Sequence, residues 1–420
     1  MSRASQPTVL IVGDYKESLI VVRSLGRAGC KLIVGKAASQ EPTFAEHSRY
    51  TNGVWKHPDF DREVHFVPAL LNLLRSRADV DYVIPVGDAP VSCLARHWSE
   101  LPATPPFLMA PGDVVMRCHD KIQMYDCAMK LGIPTAAHAS IRRRHELREA
   151  VRRIGFPCVI KPANSPREFL QKEKAVICNS VADFSKWQGR LPQVCFLVVQ
   201  KFAAGHRRNC HFIARDGRIL AYFEQKVLRT DRLDGTGNGM YSTSVYPAPE
   251  LFHYSARLVE DLQYSGVGTA QFLFQEDTRE AHFLEINPRF DATIALPYQC
   301  GFDIPLMMLQ MGSSPEVPRG IQQNYPKGKR VHSFTEDALA IKRLILHQSG
   351  TLRTKLGWVM LVVEAWWNSD YHMTFDWSDP MPSLRLWGKT GTVAASGLIS
   401  KAFLLLHSRS PLAQSSRKDS

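Results

Sequence analysis

Along the chain, short β-branched runs alternate with longer stretches in which apolar residues recur every three or four positions, and glycines or prolines mark most changes of period. Thr8 to Gly13 (TVLIVG) is a continuous β-branched, apolar run closed by glycine, the pattern of a strand. Glu17 to Ala28 then places Leu19, Val22 and Leu25 on one helical face. Cys30 to Val34 reads as a second strand, and Asp81 to Val86 as another after a helix carrying Leu70, Leu71 and Leu74. Such strand and helix units predict a parallel α/β layer, closed by the proline-dense linker Leu101 to Pro106. Gly13 lacks the companions of a G-x-G-x-x-G fingerprint and reads as a turn.

Beyond the linker the spacing predicts a helix from Val115 through Lys130, a basic helix around Ile141 to Ile154, and apolar strands at Cys158 to Pro162 and Val194 to Gln200. His211 to Ala214 and Ile219 to Gln225 read as strands around the turn Asp216-Gly217. Leu251 to Leu262 is an amphipathic helix, and a hairpin follows from Thr269 to Phe274 and from His282 to Ile286. Arg229 to Ser244, with Gly235, Gly237 and Gly239, is either a mobile surface segment or a lid over phosphate and substrate. Ala338 to Leu346 and Leu356 to Trp367 read as helices. No internal repeat is visible.

Composition narrows the class. Hydrophobic residues are 45% and charged residues 22%, which excludes wholesale disorder and a collagen-like chain. Lys+Arg 52 against Asp+Glu 40 gives +12, and residues 321–420 hold 13 basic and 7 acidic residues, half of that excess. Anionic partners suit this balance. The nine cysteines are scattered singly with no C-x-x-C pair, so reduced buried thiols in a cytoplasmic protein are expected, without a zinc ribbon or disulfide framework. No signal-peptide h-region follows Met1, and the longest apolar runs are too short to span a bilayer.

The hairpin carries the most chemistry. Thr269, Gln271 and Leu273 share one face by strand alternation, as do Phe283, Glu285 and Asn287. Antiparallel pairing sets Gln271 beside Glu285 with Asn287 beyond, a hard-oxygen set suited to Mg²⁺ or Mn²⁺. Arg289, two residues on, is placed to clamp a transferring phosphoryl group if the chain stays extended. An edge hairpin with a solvated polar face is the competing reading. Lys161, at the end of an apolar strand, either meets an anion or reaches solvent.

Leu284-Glu285-Ile286-Asn287-Pro288-Arg289 resembles the E-[IM]-N-P-R signature of the ATP-grasp superfamily, preceded by Gly268-Thr269-Ala270-Gln271-Phe272. Gln in the first metal position is similar to the large chain of carbamoyl-phosphate synthetase. Asp120-Lys121, the strand Gly155 to Pro162 and the hinge Gln200 to Gly205 resemble collinear motifs of the same enzymes. The resemblance implies an α/β and α+β protein: a pre-ATP-grasp Rossmann-like domain (1–106), an ATP-grasp domain (110–315, with 135–205 as its smaller lobe) and a basic, mostly helical C-terminal extension (320–420).

It further implies ATP and Mg²⁺, with Lys121 and Lys161 on the nucleotide phosphates and Gln200, Lys201 and Phe202 along the adenine. Gln271, Glu285 and Asn287 would hold the metal, and Arg289 with Lys161 would act in catalysis. The implied reaction joins a small-molecule carboxylate to an amine through an acyl phosphate. A non-catalytic nucleotide-binding protein and a carboxyphosphate-dependent carboxylase are the alternatives.

Two features depart from the pattern. Ala163 to Leu170 is not the usual glycine-rich loop, although Arg167, Lys172 or Lys174 can substitute by charge. His206-Arg207-Arg208-Asn209 contains no ribose-binding acid, for which Glu224 is a stand-in if it is not simply solvated. Arg229, Arg232 and Asn238 are substrate-side candidates on a charged loop. Arg142-Arg143-Arg144, without interleaved aromatics, reads as a solvated helix face and not as a nucleic-acid patch. The tail around Asp376 to Pro382 resembles bacterial ATP-grasp carboxylate-amine ligases, some associated with cell-surface polysaccharide genes. Trp358, Trp366, Trp367 and Trp387, with Lys389 and Lys401, form either a packed helical layer or a peripheral membrane contact.

Overall fold

The computed structural model describes residues 6–164, 175–232, 234–313, 321–347 and 351–388. The first unit comprises β1 (Thr8–Val12), α1 (Lys16–Arg27), β2 (Lys31–Ala37), β3 (Thr51–His57), α2 (Glu63–Ser76), β4 (Tyr82–Pro85) and α3 (Asp88–Arg96). Its sheet is parallel in the order β3-β2-β1-β4. Val9 and Ile11 belong to one apolar cluster with Ile20 and Leu25 of α1, whereas Leu10 and Val12 belong to another with Phe66 and Leu70 of α2. Burial on both faces is why β1 reads as an unbroken apolar run. The apolar pattern gives no sign of β3, an edge strand whose residues are mostly exposed or half-buried. At the carboxyl ends of β1 and β4 the strand order reverses, the place where open α/β sheets take ligands. Gly13 and Gly87 sit there at φ +109 and +96, and a Cβ on Gly13 would stand 2.5 Å from the Val86 carbonyl oxygen.

Two helices, α4 (Gly112–His119) and α5 (Lys121–Lys130), replace the single one expected through Lys130. Asp120 is extended and its carboxylate accepts from the N–H groups of Ile122 and Gln123, capping α5. Next come β5 (His138–Arg143), α6 (Leu147–Ile154), β6 (Cys158–Pro162), β7 (Val176–Cys178), α7 (Val181–Gln188) and β8 (Val194–Lys201). They form an antiparallel sheet ordered β5-β8-β6-β7 with its own apolar cluster. The helix expected from Ile141 starts at Leu147 instead. Ala139 and Ile141 are buried where β5 pairs with β8, so Arg142 and Arg143 end a strand.

The central sheet is built from β9 (His206–Arg215), β10 (Arg218–Thr230), β11 (Gly239–Ser244), β12 (Gly266–Phe274), β13 (Ala281–Asn287), β14 (Arg330–His332) and β15 (Tyr371–His372). Its order is β13-β12-β9-β10-β11-β14-β15. Helices α8 (Pro249–Asp261), α9 (Ala295–Gln299), α10 (Ile304–Ser313), α11 (Phe334–His347) and α12 (Leu352–Trp367) lie between and after these strands. Phe212, Tyr222, Phe272 and Phe274 cluster with Leu251 and Leu258 of α8, covering one face. The expectation that Phe283 shares a face with Glu285 fails. A bulge shifts the register so that Glu285 opposes Gln271 but Phe283 opposes Phe272, and Phe283 is fully buried in the core.

The C-terminal segment clasps the first unit. Arg23 of α1 donates to Asp379 Oδ2 at 3.0 Å and to the carbonyls of Thr374 and Asp379 at 2.7 Å. Asp379 also accepts from the Ser48 hydroxyl and the Arg49 N–H. On α12, Leu352, Leu356, Met360, Val363 and Trp367 form an exposed stripe at helical spacing. Trp358 is buried and Trp387 stacks on Phe375, so of the four tryptophans Trp366 and Trp367 remain exposed. Lys389 and Lys401 lie outside the described residues. No described helix is long and apolar enough to cross a membrane. All nine cysteines are free and buried.

Candidate active site

Register across the central sheet lines up a row of polar side chains. Glu285 on β13 opposes Gln271 on β12, which opposes Asn209 on β9, which opposes Gln225 on β10. With strands ~4.8 Å apart, the row spans roughly 14 Å of one face. A parallel row holds Asn287, Thr269 and His211. The sequence therefore placed Gln271 and Glu285 correctly side by side, but it missed the continuation onto β9 and β10. The signal was present: Arg207, Asn209 and His211 alternate with the buried apolar Cys210 and Phe212.

At the β13 end, Lys121 Nζ lies 3.1 Å from Glu285 Oε2. Its backbone N–H donates to the Ala163 carbonyl just beyond β6, so the start of α5 is tied to the strand that carries Lys161. Lys161 Nζ sits 5.3 Å from the centre of the Tyr125 ring and makes no ion pair among the described residues. Burial pushes its ammonium down to about 8, partly opposed by Glu285. Gln200 is buried beside the Tyr125 phenol. Lys201 Nζ donates to the Phe156 carbonyl at 2.9 Å, and the N–H groups of Lys201 and Phe202 are taken by Ala137 and Pro157, so the Lys201 charge is turned to the hinge.

Arg289 lies past the end of β13 and does not continue the strand face. Its guanidinium forks onto both carboxylate oxygens of Asp88, the first residue of α3, and Nη1 donates to the Phe290 carbonyl at 3.0 Å. A bidentate pair at a helix N-terminus fixes the arginine between the two units. His119, buried among Asp88, Arg289, Lys121 and Glu285, is pushed down to about 4 by desolvation and is neutral at neutral pH. No sequence signal singled out Asp88 or His119, because their neighbours come from distant segments.

Two substrate-side expectations change. Glu224 is neither solvated nor available to a ribose: it is fully buried, salt-bridged to Arg208 at 2.9 Å and accepts from the Ala248 N–H, and desolvation raises it to about 7. Arg229 does not sit on a mobile loop. It is the last residue but one of β10, pairs with buried Asp337 of α11 at 2.7 Å and stacks over Trp358 at 5.3 Å. The glycine-rich segment is half strand, and its turn is pinned where Arg207 Nη1 donates to the Gly237 carbonyl at 2.8 Å. Arg232 and Asn238 lie in this turn; the Asn238 N–H donates to Asp231 Oδ1. Arg167, Lys172 and Lys174 lie outside the described residues.

The side chains of Gln271 and Asn287 have no hydrogen-bond partner among the described residues, and with Glu285 they supply three hard oxygens. Among the described residues no three His, Cys, Asp or Glu side chains cluster as a metal site, so the set has one carboxylate and two amides. A hard cation bridging to phosphate oxygens suits such a set better than an all-protein cage.

Comparison with known proteins agrees with this fold. Residues 247–319 match the ATP-binding domain of the carbamoyl-phosphate synthase L chain. An acetyl-CoA carboxylase of Dictyostelium discoideum is 25% identical over 198 residues, 43% of this chain but 8% of that protein's length. A biotin carboxylase from Campylobacter jejuni superposes with a TM-score of 0.59 at 14% identity, covering 77% of this chain and 74% of that one. An L-amino acid ligase from Bacillus licheniformis gives 0.57 at 12% identity, covering 74% and 75%. An N5-carboxyaminoimidazole ribonucleotide synthetase gives 0.53 at 14% identity, covering 69% and 72%. The chain has the ATP-grasp fold, with its hairpin inside the segment that matches the carbamoyl-phosphate synthase family.

Proposed function

We propose that the protein is an ATP-dependent ligase that joins a carboxylate to an amine, releasing ADP and phosphate. The observation that carries this reading is the junction where Lys121 meets Glu285, Gln271 stands in register beside it, and Lys161 is half-buried with no ion pair among the described residues. A desolvated lysine without a counter-charge is unfavourable until an anion arrives, and a triphosphate supplies one.

The residues fit Mg-ATP. Gln271, Glu285 and Asn287 would hold the metal, and Lys121 and Lys161 the phosphates, with the β8 hinge at Gln200 to Phe202 beside the base. Bound Mg-ATP would supply the γ-phosphoryl group that activates the carboxylate as an acyl phosphate for attack by the amine. This chain contributes position and charge: Lys161 neutralises phosphate, and Arg289, immobilised by Asp88, presents a fixed cation that need not reorganise. No protein nucleophile is required.

The test is ADP release with Mg-ATP and a panel of carboxylates, with and without amines. Amine-dependent turnover lost in Glu285→Ala supports the ligase. Binding of Mg-ATP without turnover for any pair, with Glu285→Ala changing nothing, would leave a non-catalytic nucleotide-binding protein. ADP release driven by bicarbonate alone would replace amide formation with carboxylation.

A further inference from the structure

Thr293 is a saturated hub above the inner end of the polar row. Its hydroxyl donates to Asp291 Oδ1 and accepts from Asn209 Nδ2 at 3.1 Å and from Gln225 Nε2. A hydroxyl has one proton and two lone pairs, so both amides must turn nitrogen toward Thr293 and oxygen away from it. Those oxygens, Asn209 Oδ1 and Gln225 Oε1, are buried with no hydrogen-bond partner, on residues 1% and 0% exposed. A buried acceptor without a donor is unfavourable until one arrives. Asp291 uses Oδ1 for the Thr293 N–H and hydroxyl. His211 Nε2, farther along β9, also lacks a partner, its Nδ1 being 3.0 Å from Thr269 Oγ1.

We infer that Asp291, Asn209 and Gln225 bind the primary ammonium group of an amino-acid substrate, with Arg207 taking its carboxylate. Three acceptors match the three N–H donors of an ammonium group. A simple anion finds no donor at these oxygens. A divalent metal finds one carboxylate already influenced by Lys16, Arg207 and Arg289, a weak set for Mg²⁺. Arg207 is on the same face of β9 as Asn209, roughly 7 Å along the strand. It makes no ion pair among the described residues, and its Nε is buried without a partner. The opposite charges of an amino acid thus have separate receivers, and Arg207 also holds the Gly237 carbonyl of the glycine-rich turn.

This inference rests on the ligase reading and names its substrate class. The experiment first measures Mg-ATP binding calorimetrically, then titrates the twenty L-amino acids in the presence of a non-hydrolysable ATP analogue, beside their deaminated acids and decarboxylated amines. At least one amino acid is expected to bind, its deaminated acid at least tenfold more weakly. Asp291→Asn is expected to weaken the amino acid tenfold or more with Mg-ATP affinity within about threefold of wild type. Arg207→Met should weaken the amino acid but not the decarboxylated amine. If Asp291→Asn fails to fold, Gln225→Leu gives the same readout with a smaller loss of about three- to tenfold. The inference is overturned if Mg-ATP binds but no amino acid does, if deaminated acids bind equally well, or if a Mn²⁺ titration shows a metal ion lost in Asp291→Asn. Failure of wild type to bind Mg-ATP overturns the ligase reading itself.

Discussion

Six buried or half-buried cations among the described residues show two arrangements. Where the first unit meets the central sheet and the C-terminal helices, each has a carboxylate: Arg23 with Asp379, Arg289 with Asp88, Arg229 with Asp337 and Lys16 with Glu336. Between the small lobe and the hairpin, Lys161 has no ion pair among the described residues although Lys121 nearby is held by Glu285, and Arg207 beneath the glycine-rich turn has none among them either. Paired cations join segments far apart in sequence. Unpaired ones carry an electrostatic penalty that an anionic ligand removes, which marks them as binding groups.

Substitutions test that division. Arg23→Met strands Asp379, a pair at 1% side-chain exposure on both sides, and is expected to destabilise the fold by about 3–5 kcal/mol in urea unfolding. A loss under about 1 kcal/mol would mean the clasp is ornamental. Lys161→Met should do the reverse, lowering ADP release by about 10²–10³-fold while the thermal midpoint holds or rises. A midpoint falling as far as that of Arg23→Met would erase the distinction.

The pH dependence is a gentler probe. Burial holds Lys161 at about 8, below its ordinary value of 10.5, so its destabilising charge is fully present below pH 8 and is relieved as pH rises toward 10.5. Phosphate binding needs the charged form. The dissociation constant for Mg-ATP should therefore rise about tenfold per pH unit above 8, and this slope should be absent in Lys161→Met.

The smallest effect is expected at the periphery. If the exposed α12 stripe that ends at Trp367 touches lipid, Met360→Glu should cut co-sedimentation with acidic phospholipid vesicles several-fold without altering turnover. Equal sedimentation of both proteins would leave the stripe as a surface for protein packing.

By itself the sequence determined what depends on local period and on contiguous motif. Alternation and a short turn brought Gln271 opposite Glu285, whereas the strand-end lysine at 161 stayed open between meeting an anion and reaching solvent. The β13 bulge that sends Phe283 into the core was not legible, because one extra residue reverses every face after it. Nor were β5, where pairing with β8 overrides a helical spacing, and the break at Asp120, where capping splits a helix. Only the tertiary structure decided which cations are partnered and which are not. Asp88, Asp337 and Asp379 lie 201, 108 and 356 residues from the arginines they hold, and no local pattern encodes a contact whose geometry is fixed by the packing of whole sheets.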